Sequence, residues 1–167
     1  MMNPVENIKI PNFQIFEKKA DLIYYDGPLL SHLISPAGED YIFYWVDVNE
    51  KYNKWIVFQT TPSQIEEYLN KKISLRQFMF DCLEGIAYSI DIDNNIDYHN
   101  VFAFNINTIL PEYLPTEDSY HVFEVREYPA RKKTDENVNY VRNEHEKIQQ
   151  VREEDSDYRI ENSDGEN

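Results

Sequence analysis

Residues 41–58, "YIFYWVDVNEKYNKWIVF", decide the fold of this chain. Tyr41, Phe43 and Trp45 alternate with Ile42, Tyr44 and Val46. In a strand, successive side chains point to opposite sides, so each set shares one face. Residues 54–59 repeat the pattern. Both runs are rich in β-branched and aromatic residues, which suit a pleated, packed surface. The polar run "DVNEKYN" between them reads as a hairpin loop. Neither face of the first strand is polar, so it is expected to be covered on both sides or to lie centrally in a sheet. Tyr52 and Trp55 are the aromatics nearest the hairpin tip. They are candidates for display to a partner, because Tyr and Trp are favoured at binding hot spots. Packing across the hairpin is the plainer reading of both.

Upstream, "DLIYYDGPLLSHLI" holds two apolar segments around a turn at Asp26-Gly27-Pro28. Gly27 takes positive φ without steric cost and Pro28 fixes the next φ. "FQIF", residues 13–16, is expected to pair at a sheet edge. Downstream, "TPSQIEEYLN" places Thr61 at an N-cap, Pro62 at the first helical position and Gln64 at the third, a capping box. Ser74 and Gln77 repeat the box in "ISLRQFMFDCLEG", and Gly85 is placed to end that helix. Cys82 falls on its apolar stripe and reads as a small buried hydrophobe. "IAYSIDID" and "YHNVFAFNI" then read as two strands around a polar turn. Residues 107–119, with Pro111 and Pro115, read as a loop that crosses the domain, and "YHVFEV" as a last short strand.

These elements predict an α+β fold. An antiparallel sheet of about five strands would carry two short helices on one face, as three strands, two helices and two strands in sequence. Residues 1–20 would form an N-terminal arm or edge strand, 21–125 the α+β domain, and 126–167 a charged, partly helical or disordered tail. The opening residues have no basic segment followed by an apolar run, so no secretory leader is expected.

The net charge is −15, with four glycines and thirteen tyrosines in 167 residues. From Arg126 onward there are 12 acidic and 8 basic residues, net −4, which leaves −11 for the first 125. The body therefore carries most of the imbalance. Phosphate backbones and anionic membranes repel such a protein, so direct nucleic-acid or membrane binding is not expected. A protein partner with a basic surface is. The single cysteine allows no internal disulfide, and a cytoplasmic protein is expected.

Catalytic signatures are weak. "DIDNNID" offers Asp91, Asp93, Asn95 and Asp97 at the alternation of a calcium loop. Ile96 stands where that loop needs Gly, and Phe102 where it needs Glu. His32, His99, His121 and His145 show no metal-ligand spacing. Ser31 and His32 are neighbours on a strand and point apart. The paired acids Glu39-Asp40, Glu66-Glu67 and Glu117-Asp118 read as solvated surface. No phosphate-cradling motif is present. No metal and no cofactor are expected.

"YYDGPLLSHL", "YIFYWVDVNEKYNKWIVF" and "YLNKKISLRQFM" together resemble a family of small bacterial domains of unknown function, over roughly residues 21–125. Asp26, Asp47, Tyr52, Asn53 and Arg76 are the polar members of the shared pattern, and with Trp55 they are the candidate partner- or ligand-binding residues. Arg76 falls in the first turn of a helix, where a cation opposes the helix dipole. A buried bridge from Arg76 to Asp26 or Asp47 would explain it. The expected function is a non-enzymatic acidic interaction module, with an immunity, antitoxin or defence-accessory role in bacteria. Two alternatives stand beside it: a nucleic-acid mimic that blocks a DNA- or RNA-binding protein, and a small-ligand binder or enzyme with a site near Asp26, Asp47, Tyr52 and Arg76.

Overall fold

Alternating β-branched and aromatic residues do build a hairpin at the centre, β3 (Asp40–Val48) and β4 (Tyr52–Thr60). Its turn is tighter than the expected loop. Asn49 Oδ1 accepts the backbone N–H of Lys51 and of Tyr52, each at 2.8 Å, and pairing continues through Asp47↔Lys54 and Val48↔Asn53. The computed structural model describes residues 2–129. Before the hairpin come β1 (Glu17–Tyr24) and β2 (Pro28–Ile34). After it come α1 (Pro62–Leu69), α2 (Leu75–Phe80), β5 (Ile86–Asp93), β6 (Tyr98–Asn105) and the two-residue β7 (Arg126–Glu127). Among the described residues these form one antiparallel sheet of seven strands, in the order β6-β5-β4-β3-β2-β1-β7.

The fold is therefore mostly β, which corrects the expected α+β class and its five strands. The two α-helices span only eight and six residues. "EKK" at 17–19 hides the start of β1, because its charges do not alternate with apolar residues. Lys18 is nonetheless 2% exposed, with Nζ 2.8 Å from Oδ1 of the fully buried Asp21, at ion-pair distance but poorly aligned as a hydrogen bond. Asp21 also accepts from Ser31 Oγ at 2.6 Å and from Tyr128 Oη at 2.5 Å. Such a pair is tolerable only because each charge has partners. The sheet thus crosses both expected boundaries, at 20 and at 125. The rest of the expected tail, from residue 130, lies outside the described residues.

One face of the sheet packs Leu22, Leu30, Ile42, Ile56 and Phe58 beneath Ile65, Tyr68, Phe78 and Met79 of the helices. Thr61 and Ser74 cap those helices, their hydroxyls accepting from Gln64 N–H at 3.2 Å and Gln77 N–H at 3.1 Å. The second helix stops at Phe80, earlier than the sequence pattern predicts. Glu84 and Gly85 follow at positive φ and turn the chain into β5. Residues 106–125 then cross this same face, with Ile106 and Ile109 buried in it and Leu114 and Val125 packed against it. The opposite face is closed by the N-terminal arm. Residues 13–16 do not pair at an edge; Phe13–Ile15 is a 3-10 turn. Phe13 meets Phe16, Tyr41, Phe43 and Tyr88 edge-on at 5.1–5.8 Å, an arrangement that ring quadrupoles favour. Further back, Pro4 bridges Phe104 on β6, and Val5 N–H donates to the Ala103 carbonyl at 2.7 Å.

Candidate functional site

The structure divides the sequence-predicted residues among three places. Trp55 is 1% exposed in the arm-side core, and Asn53 is buried there too, accepting from Trp45 Nε1–H at 2.8 Å. These two are packing residues. Tyr52 lies with its ring 5.2 Å from His99. Asp26 and Asp47 are exposed, Asp26 at φ 55 in the β1–β2 turn and Asp47 just past a β-bulge, where its Oδ1 accepts from Val48 N–H at 2.8 Å. Arg76 does not make the expected bridge. Among the described residues it pairs with no carboxylate. Its guanidinium reaches the Pro115 carbonyl at 3.5 Å, and its backbone N–H donates to Ser119 Oγ at 3.3 Å. Helix α2 begins against the crossing segment rather than against the hairpin turns, so its first-turn cation meets the Pro115 carbonyl there.

An antiparallel meander puts alternate turns at the same end. The β1–β2, β3–β4 and β5–β6 turns therefore gather Asp26, Asp47, Glu50, Asp93 and Asp97 at one end of the sheet. Basic residues there include Lys51 and Lys54, and the Arg126 guanidinium lies 3.5 Å from the ring centre of Tyr24 at the end of β1. Asp93 holds its own turn. Its oxygens accept from Asn95 N–H at 2.8 Å, Asp97 N–H at 3.0 Å and His99 Nε2–H at 2.6 Å. Burial would raise its pKa, but the Asp97 amide, the His99 ring and the Asn95 amide together hold it below the ordinary value. The segment that resembled a calcium loop spends its carboxylate on this turn, and Ile96 takes φ 64 where such a loop would need Gly. Among the described residues no three His, Cys, Asp or Glu side chains are grouped to hold a metal ion.

Next to this end, on the helix side, lies an open groove of about 540 Å³. Its floor comes from Tyr44 and Val46 of β3, and its far wall from Glu112, Tyr113 and Leu114 of the crossing segment, with Phe123 beside them. Two anchors hold that segment in place. The Ser119 carbonyl accepts from Leu75 N–H at 2.8 Å. His121 is buried, and its Nε2 lies 2.7 Å from the Leu22 carbonyl; a carbonyl only accepts, so Nε2 carries the proton. Burial raises the Tyr113 phenol pKa, and the charges of Asp47, Glu112 and Asp91 raise it further. Burial also raises that of Tyr44. Both phenols stay protonated at neutral pH. Two cations lie near these acids: the Lys54 Nζ is 2.7 Å from Asp91, and the Arg76 guanidinium is on the Pro115 carbonyl. Asp91 is held as well by Asn100 Nδ2–H at 2.9 Å.

Sequence reasoning singled out Asp47 but missed Tyr44, Glu112, Tyr113 and Phe123. Glu112 and Tyr113 lie in the segment already read as a loop crossing the domain, Tyr44 in the central strand and Phe123 in the expected last strand, and no spacing links them. Nucleophilic chemistry finds little footing among the described residues. Ser89, 3.4 Å from Lys54, is fully buried, so no substrate reaches it. Ser31 and His32 turn to different carboxylates, Asp21 and Asp40. Burial pushes the Cys82 thiol up to about 12, far from a thiolate.

A family model described as a family of unknown function, DUF6575, matches residues 13–160. The chain belongs to this family. The DUF6575 match begins at Phe13, the central ring of the arm-side cluster, and takes in every strand of the sheet. It agrees with the resemblance to a small domain family of unknown function and carries no activity with it. No curated protein and no solved structure matches the chain. No helix among the described residues is long and apolar enough to cross a membrane.

Proposed function

We propose that this chain is a non-enzymatic acidic interaction module whose partner is a protein with a basic surface. The observation that carries the reading is the gathering of turn carboxylates at one end of the sheet, beside an open groove whose own lining adds Glu112. Carboxylates spread over a surface serve solubility. Concentrated beside exposed apolar area, they give a basic partner both steering and a place to bury side chains. The working setting is a bacterial cytoplasm, with an immunity, antitoxin or defence-accessory role. Nucleic-acid mimicry draws less support, because these acids cluster at one end instead of running in a line like phosphates.

The test is affinity capture from host lysate at low and high salt, with wild type and an Asp47→Asn/Glu50→Gln/Asp97→Asn variant. These are turn positions; Asp93 is left alone because it holds its turn. Screening shortens the reach of exposed charges from about 10 Å at 0.1 M salt to about 3 Å at 1 M. The expected result is one stoichiometric basic protein, lost at high salt and lost to the variant. Capture indifferent to both salt and variant would overturn the reading.

A further inference from the structure

We infer that the groove between β3 and the crossing segment is a socket for an arginine side chain of the basic partner. This rests on the proposed function and goes further by naming the group that is bound. The groove's walls are apolar and aromatic, with Tyr44, Val46, Tyr113, Leu114 and Phe123 as the main surfaces. A small hydrated cation would gain nothing from such walls, and an anion would face Glu112 together with the charges of Asp47 and Asp91. The fitting occupant has an apolar shaft and a cationic end. Of the cations nearby, Lys54 is engaged by Asp91 and Arg76 by the Pro115 carbonyl, which leaves Glu112 as the charged side chain of the lining itself.

Arginine suits this site better than lysine. Its guanidinium is flat, weakly hydrated and stacks on aromatic rings, whereas an ammonium keeps its water. Among the described residues, neither the Tyr44 nor the Tyr113 phenol oxygen has a protein hydrogen-bond partner, so both can accept from guanidinium N–H groups. Phe123 is 46% exposed at the groove and stands ready to cover a stacked side chain.

The experiment titrates the full chain, with its Val and Leu methyls isotopically labelled, with hexa-arginine, hexa-lysine and hexa-glutamate peptides at low salt. Methyl shifts at Val46, Leu75 and Leu114 are the readout. Hexa-arginine is expected to move these methyls and to bind about fivefold more tightly than hexa-lysine, the scale of an exposed cation–π contact. Glu112→Gln is expected to weaken hexa-arginine about threefold, and Phe123→Ala to remove most of the preference for arginine. Asp97→Asn, at a turn outside the groove lining, should weaken both basic peptides alike. Equal affinity for the two basic peptides with no shift at the groove methyls would overturn the socket and leave the acidic module standing. No binding of either basic peptide would overturn both. Phe123→Ala is checked by thermal melting; if it unfolds, Glu112→Gln and the arginine–lysine ratio decide the matter.

Discussion

The two faces of the sheet are closed in different ways. The arm side is sealed by aromatic edges around Phe13, and its charged group at Asp21 is answered by Lys18, Ser31 and Tyr128. The helix side is covered at one end by α1 and α2 and elsewhere by an irregular segment with a groove beneath it. Two short helices cannot roof seven strands, so an irregular segment has to finish the layer, and irregular backbone leaves openings. Openings remain on both sides, about 540 Å³ beside the crossing segment and about 490 Å³ beside the arm at Ile10, Pro11, Ile15 and Pro36, and the helix-side groove is the one next to the acidic end of the sheet.

Truncating a phenylalanine on each side tests the difference between the two faces most directly. Phe13→Ala removes a ring, 2% exposed, that touches four others, and is expected to cost about 3–5 kcal/mol in a denaturant titration. Phe123→Ala, the same change at the groove, should shift stability by no more than about 0.5 kcal/mol. Equal losses would show that the crossing segment is core and the groove merely a packing defect. Asp21→Asn comes next. It strands the Lys18 ammonium in the interior, and a loss of ~3 kcal/mol is expected; a Lys18→Met/Asp21→Leu double variant should recover much of it. If the single variant melts like wild type, Lys18 is not truly confined.

Smaller effects sharpen the helix side. Ser74→Ala removes the cap of α2 and should cost about 1 kcal/mol while leaving the arm side untouched, as followed by hydrogen exchange at β5. The smallest is a pH effect at His32. Burial lowers its pKa, against the opposing pull of Asp40, so the folded state binds the proton less readily than the unfolded chain. The stability it contributes is complete above its unfolded pKa, about 6.5, and is lost as pH falls through the folded value. His32→Gln should flatten melting temperature between pH 7.5 and 5; an unchanged slope would assign the pH dependence elsewhere.

Local grammar was legible where the physics is local. The β3–β4 hairpin follows from alternation, the caps at Thr61 and Ser74 from three-residue spacing, and the turn at Asp26 from the glycine after it. What stayed hidden depends on distant partners. "EKK" becomes strand only because Asp21 and Tyr128 receive Lys18 on the arm side. β7 has two residues and no pattern of its own; its place comes from pairing with Ala20 and Asp21. Trp55 packs, as the plainer reading of it had it, whereas Asn53, a site candidate through the shared pattern, is buried toward the arm by its register. Arg76 met the Pro115 carbonyl of the crossing segment instead of a carboxylate, and no spacing rule foretells where an irregular segment will pass. Glu112 and Tyr113 were invisible as site residues for the same reason.

The order of strand pairing bears on how the chain comes together in time. Nearly all the sheet is a meander, so each strand meets a partner made just before it, and such local pairing closes small loops quickly. Among the exceptions are the bonds from His121 to Leu22 and from Tyr128 to Asp21, which span 99 and 107 residues. During synthesis, β1 waits for the rest of the sheet to be made before its carboxylate is fully partnered. These two bonds need residues made after the meander, so a chain stopped short of Tyr128 would carry a finished meander in which Asp21 keeps Lys18 and Ser31 but its Oδ2 lacks the phenol.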